Sequence, residues 1–245
     1  MKVLIDNIIR RGLAHRCHKK KIRVDNQKIV SFTFDDAYHS AFENGGAILK
    51  KYNSNGTFYV SMSFMNRISE KSLFSKEELR RCVNDGHEIG GHTFTHFSAY
   101  DVDRDKLVED TERNRNEFSK LNLGVEMENF AYPCGHQVRM VKKYMGEIYK
   151  TNRGTSSGVN SGNVDLNNLK AVKLYEDRYS LSDIFSLLEK LKKTGGWLIF
   201  YTHDVKLGYS KMGCSPKYFE EVVKRTVDLK LPIKNIKDAL LSCQS

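Results

Sequence analysis

"SFTFDD", residues 31–36, ends an apolar strand on two adjacent carboxylates, Asp35 and Asp36. Ser31 to Phe34 alternate in polarity as a strand does, but aspartate is disfavoured in strands and neighbouring like charges repel. Two acids at such a tip call for a role other than packing.

Outward from this stretch, strand and helix signals alternate from residue 28 onward. "KIVSFTF", "GTFYVS", "HEIGGH", "ENFAYP", "IYKTNRG", "LKAVKLYED" and "WLIFYTHD" read as strands. Between them lie segments with helical spacing. "AYHSAFENGGAILKKYN" is interrupted by Gly45 and Gly46. "SKEELRRCVNDG" carries a capping box, Ser75 with Glu78. "DRDKLVEDTERNRNEFSKL" sets Leu107, Asp110, Thr111, Asn114 and Phe118 down one side. "HQVRMVKKYMG" stops at Gly146, and "SLSDIFSLLEKLKKTGG" and "SPKYFEEVVKRTVDLK" complete the set. Strands alternating with helices of 10 to 19 residues mean right-handed βα units and a largely parallel sheet. The expected class is α/β, a distorted or incomplete (β/α) barrel. The polar, glycine-rich residues 154–168 read as a long loop over the active-site face. Two regions are expected: a basic amphipathic segment, 1–27, and a catalytic domain, 28–245.

In a parallel barrel, functional groups collect at the carboxyl ends of the strands. Asp35 and Asp36 close the first strand, and His92 and His96 follow "HEIGG". Pro133, Cys134 and Gly135 close "ENFAY", and Arg153 closes "IYKTN". Asp177 and Arg178 close "LKAVKLYE", and His203 and Asp204 close "WLIFYT". All should face one mouth. "HTFTH", residues 92–96, places two imidazoles four positions apart; on a helical turn they stand about 6 Å apart along the axis, and both can reach one metal ion. An oxygen ligand from a neighbouring strand end would complete three protein ligands, leaving a position for water. Either aspartate could be that ligand and the other a base. The remaining histidines, His15, His18, His39, His87 and His136, read as structural or exposed.

Composition bounds the alternatives. Of 245 residues, 40% are hydrophobic and 29% charged, a folded rather than a disordered balance. Five widely spaced cysteines without a CxxC pair argue against a disulfide framework and for a reducing cytosol. No apolar run is long enough to span a bilayer, and Asp6, Arg10 and Arg11 break any signal-peptide core. The net charge of +10 is concentrated before residue 24, with no nucleic-acid motif beside it, so no nucleic-acid partner is expected. Val3, Leu4, Ile5, Ile8, Ile9 and Leu13 recur at helical spacing among Arg10, Arg11, Arg16 and Lys19 to Lys21. This pattern suits an interfacial helix on an anionic membrane, bringing the chain to lipid-linked glycan on the cytoplasmic leaflet. It equally suits a helix that packs its apolar side on the barrel bottom.

"TFDD", "HTFTH", "AYPCG" and "LIFYTHD", in this order, resemble the polysaccharide deacetylase family, also called NodB-homology or carbohydrate esterase family four. The resemblance runs from about residue 28 to residue 230. It implies a distorted (β/α) barrel that removes acetyl groups from sugars, N-acetyl before O-acetyl, with one divalent metal ion: Zn2+, or Co2+, Ni2+ or Mn2+. Asp35 would be the catalytic base, and Asp36, His92 and His96 the metal ligands. His203 would be the general acid, and the Cys134 backbone N–H an oxyanion donor flanked by Pro133 and Gly135. Thr93 would brace the histidine loop. Ala131 stands where many members have an arginine paired with the base, and Cys134 where they have tyrosine. Without that cation Asp35 should be a stronger base, unless Arg153 or Arg178 compensates. Asp177 is the nearest candidate to orient His203. The rival readings are hydrolysis of another non-peptide C–N bond, in a formyl group or a cyclic imide, and an inactive glycan-binding domain.

Overall fold

Alternation along each strand sorts the side chains into two apolar layers. The computed structural model describes residues 10, 12–65 and 73–244. Its strands are β1 (Lys21–Val24), β2 (Lys28–Asp35), β3 (Thr57–Val60), β4 (Glu88–Gly91), β5 (Asn129–Ala131), β6 (Thr151–Arg153), β7 (Gly162–Asp165), β8 (Val172–Lys173) and β9 (Gly196–Thr202). The helices are α1 (Ala47–Lys51), α2 (Lys76–Asn84), α3 (Arg104–Ser119), α4 (Arg139–Ile148), α5 (Leu181–Thr194), α6 (Pro216–Asp228) and α7 (Ile236–Gln244).

Seven strands form one parallel sheet in the order β6-β5-β4-β3-β2-β9-β8. Val30, Phe32 and Phe34 of β2, Phe58 of β3, and Leu198 and Phe200 of β9 face the helices, where Ile184, Leu188, Phe219 and Val222 cover them. Ile29, Tyr59, Trp197, Ile199 and Tyr201 form a second core on the other side. Both faces are therefore buried, as a parallel sheet requires. The sheet curls until Leu169, ahead of β8, bridges Arg153 of β6. One bridge thus joins the two edges of the expected distorted barrel.

Four expectations for local structure are corrected. The helix containing Gly146 does not stop there but continues to Ile148. A Cβ on Gly146 would lie 2.2 Å from the Asn167 amide, so the glycine serves close packing rather than termination. The segment 154–168 is not a loop over the mouth. Only its start borders the mouth; Asn160 pairs with Trp197 at the opposite end of the barrel, and β7 pairs antiparallel with β1. "LKAVKLYED" supplies only the two-residue β8, because its chain turns away after Leu174 bonds Tyr201.

Gly45 and Gly46 do not interrupt their helix; it continues through a π-helical turn, Ala41–Gly46, into α1. A Cβ on Gly45 would lie 2.6 Å from the buried Phe34 ring. Gly45→Val should therefore lower stability. Helix propensity improves by only a few tenths of a kcal/mol, against an overpacking cost of about 1–3 kcal/mol. A urea midpoint equal to or above wild type would contradict this packing.

Of the N-terminal segment, Leu13 is exposed, Ala14 is buried, and β1 joins β7. Val3, Leu4, Ile5, Ile8, Ile9 and Arg11 lie outside the described residues. Among the described residues no helix is long and apolar enough to cross a membrane.

Candidate metal centre and acid–base site

The two aspartates are adjacent in sequence but separated by backbone geometry. Asp35 is the last residue of β2 and keeps the strand's alternation, on the face of Ser31 and Thr33. Asp36 lies past the strand end with φ +59°, and Ala37 follows at +48°. This left-handed step costs a non-glycine residue about 1–2 kcal/mol. It turns the second carboxylate towards the β4 loop. Thr93, His96 and Cys134 also have positive φ, so backbone strain gathers around one mouth.

His92 and His96 meet, but not on a helical turn as the spacing suggested. Residues 92–96 form a loop after β4. The buried Asp110 of α3 bends it, accepting the backbone N–H groups of Phe94 (2.6 Å) and Thr95 (3.2 Å) and the Thr95 hydroxyl (2.6 Å). Thr95, not Thr93, is therefore the bracing hydroxyl; the buried Thr93 Oγ1 has no hydrogen-bond partner. The two rings lie 4.9 Å apart. Nδ1 of His92 lies 2.8 Å from the Ala131 carbonyl oxygen, which leaves Nε2 to face Asp36.

The Asp36, His92 and His96 ligand atoms all lie within 4.8 Å of one another. Asp36 Oδ1 is 3.6 Å from His92 Nε2 and 3.3 Å from His96 Nε2, and it is buried without a hydrogen-bond partner. A buried carboxylate oxygen without a partner costs about 1–3 kcal/mol or more. Two imidazole nitrogens and this oxygen form a donor set that fits a divalent cation of the zinc type.

Burial and the neighbouring His96 ring, opposed by Asp35 and Asp36, bring the pKa of His92 down to about 4. The neutral ring is the form that ligates a metal. Between about pH 6.5 and that value the unfolded chain binds more protons than the folded one, so stability falls as pH falls through the window. Metal-free protein should lose on the order of 3 kcal/mol from this group. Comparing urea midpoints near pH 7 and near pH 4.5 checks it. His92→Gln should lose less on acidification, and equal losses would contradict the assignment.

Asp35 does have a cation. The Arg153 guanidinium, from β6, donates to its carboxylate inside the barrel, and both side chains are buried. The guanidinium packs over the Tyr59 and Tyr201 rings, 5.3 and 4.8 Å from their centres. Burial alone would raise the Asp35 pKa; Arg153, with His92 and His203, outweighs it, and the carboxyl lies below its usual value. Of the two arginines expected to compensate, Arg153 does so, from β6 instead of β5, and Asp35 is therefore not the stronger base that the missing β5 arginine alone would imply.

The buried His203 follows β9 and lines the same cleft of about 760 Å3 as Asp35, Asp36, His92, His96 and Cys134. Its Nδ1 lies 3.4 Å from the Tyr175 hydroxyl. Asp177 does not orient it: this exposed carboxylate accepts from Tyr209 at 3.0 Å, because the chain has already turned away from the mouth. Arg178 lines the outer cleft and leaves the base to Arg153. Cys134 sits at φ +56° between the buried Pro133 and Gly135. Burial, then Asp36 and Asp35, push its thiol pKa up, so it is a poor nucleophile. Sequence reasoning missed Tyr175 and the anchoring role of Asp110. An acid on the apolar side of α3 was the available signal for the latter.

A family model described as "Polysaccharide deacetylase" matches residues 23–150. A peptidoglycan-N-acetylmuramic acid deacetylase, PdaC, of Bacillus subtilis is 33% identical over 72 residues, 29% of this chain and 14% of that protein. A peptidoglycan-N-acetylglucosamine deacetylase of Bacillus cereus is 30% identical over 97 residues, 39% of this chain and 42% of that protein. The matches thus span less than half the length of either curated relative. Among solved structures, a family 4 acetyl xylan esterase from Clostridium thermocellum, in complex with a cobalt ion, superposes with a TM-score of 0.61 at 17% identity, covering 86% of this chain and 89% of that one.

Proposed function

Since the chain belongs to the polysaccharide deacetylase family, we propose that it is a hydrolase of non-peptide C–N bonds that removes an acetyl group, N-acetyl before O-acetyl, from a sugar, oligosaccharide or polysaccharide. The observation that carries this reading is the orphaned Asp36 oxygen facing two imidazoles beside the buried Asp35–Arg153 pair.

Asp36, His92 and His96 would hold one divalent ion, Zn2+ first and Co2+, Ni2+ or Mn2+ as substitutes. Such an ion supplies Lewis acidity, polarising a carbonyl and acidifying water towards a pKa of about 7. The chain's own groups do the rest. Asp35 takes the proton of the attacking water, and Arg153 keeps it ionised and aimed. The Cys134 backbone N–H donates to the developing oxyanion, in a turn fixed by Pro133 and Gly135. His203 gives a proton to the departing nitrogen, whose expulsion as an anion would be prohibitive. Tyr175 limits the rotation of that ring.

Five unpaired cysteines suit a reducing, cytoplasmic location. The basic segment 1–27 is proposed to touch anionic membrane or lipid-linked glycan, with residues 28–245 as the catalytic domain. The test is mass spectrometry of acetylated sugars, nucleotide sugars and lipid-linked oligosaccharides incubated with metal-loaded protein. Loss of acetyl with matching acetate and a new amine supports the proposal. Formate or ring-opened imide would move the activity to another C–N bond, and binding without turnover would leave an inactive glycan-binding domain.

A further inference from the structure

Three cations line the cleft with no ion-pair partner among the described residues. Lys173 ends β8, Arg178 lies in the turn after it, and Lys211 lies on the loop after β9; all three are exposed and line the cleft beside His203. No described carboxylate forms an ion pair with any of them. The acids on the same loops are engaged elsewhere. Glu176 accepts the Ser215 backbone N–H, Asp177 accepts from Tyr209, and Asp204 accepts from Ser210 and faces Lys206. Among the described residues, the acids lining the cleft are Asp35, held by Arg153, and Asp36, set between two imidazoles.

Like charges gathered on a concave wall repel one another, and the low-dielectric surroundings focus their field into the cleft. The arrangement is favourable only when an anion enters. Arginine suits phosphate or carboxylate through paired N–H donors, and lysine adds point charge. A neutral glycan could accept hydrogen bonds from these groups but would leave their charge unmatched.

We infer that the sugar taken by this cleft is acidic, carrying a phosphate or carboxylate that Lys173, Arg178 and Lys211 hold while its acetyl group lies over Asp35 and Asp36. The inference rests on the deacetylase reading for the second half of that statement only. The anion site stands on its own geometry.

The test separates the two. Binding is measured calorimetrically for N-acetylglucosamine, N-acetylglucosamine 1-phosphate and N-acetylmuramic acid, with acetate release followed in parallel. Both acidic sugars should bind about tenfold or more tightly than the neutral one, with an advantage that shrinks as salt rises. Whichever binds tighter distinguishes phosphate from carboxylate as the natural group. In the variant Lys173→Gln, Arg178→Gln, Lys211→Gln the ratio of acidic to neutral affinity should fall towards one. All three sites are exposed, so circular dichroism should show an unchanged fold. Equal affinity for neutral and acidic sugars in the wild type, or an unchanged ratio in the variant, overturns the inference. Tight binding of acidic sugars with no acetate released would support the anion site and count against the deacetylase reading instead.

Discussion

Asp35→Asn is expected to reduce the turnover number for acetate release by about 10²- to 10⁴-fold, the range for removing a general base, with stoichiometric metal retained. The two halves of this result come from one local feature. β2 carries Asp35 towards Arg153, whereas the positive φ of Asp36 sends the next carboxylate to the histidines. Asparagine keeps the shape of Asp35 and loses its proton affinity. It also leaves the Arg153 guanidinium buried opposite a neutral amide, and breaking such a pair from one side costs about 3–5 kcal/mol. The single variant should therefore melt earlier. A companion carrying Arg153→Met as well removes the orphaned charge and should recover part of that stability without recovering turnover. Metal analysis after dialysis, kinetics and thermal melts of the two proteins separate base loss from damage to the fold. Metal lost from Asp35→Asn would mean that the aspartates have the opposite roles.

The second large effect belongs to the histidines. Combined His92→Ala and His96→Ala should abolish both stoichiometric metal and acetate release, because Asp36 alone cannot hold a divalent ion against dialysis. The two positions should differ in their single variants. His92 is buried and bonded to the Ala131 carbonyl, so removing it also opens a cavity and orphans a backbone acceptor. His96 is only partly buried on its loop, so His96→Ala should lose metal affinity with little loss of stability. Stoichiometric metal in the double variant would place the ion elsewhere.

Much of this site was legible in the chain because it obeys two periodicities. Period-two alternation marked β2, an unbroken apolar run marked β9, and both put their polar ends at one mouth. The 3.6 spacing of α3 picked out Leu107, Asp110, Thr111, Asn114 and Phe118, all of them buried. What escaped was conformation set by tertiary contact. The spacing of His92 and His96 suggested a helical turn, but three hydrogen bonds to Asp110, 16 positions from Phe94, impose a loop. The strand-end position nominates Arg153 as a partner for Asp35, but only the fold decides between it and Arg178, across 118 positions of chain. Gly45 and Gly146 looked like helix breakers because glycine commonly ends helices. Here each leaves room for a neighbour, Phe34 and Asn167, that is invisible to local pattern.

The most direct measurement is acetate release from an N-acetylated oligosaccharide by metal-depleted protein titrated with Zn2+. Deacetylation at the Asp36–His92–His96 centre predicts no acetate from the depleted protein, a rise that saturates at one equivalent of metal, and one new amine for each acetate. Undiminished acetate release by the depleted protein, or none after one equivalent has bound across the panel of acetylated glycans, would contradict it.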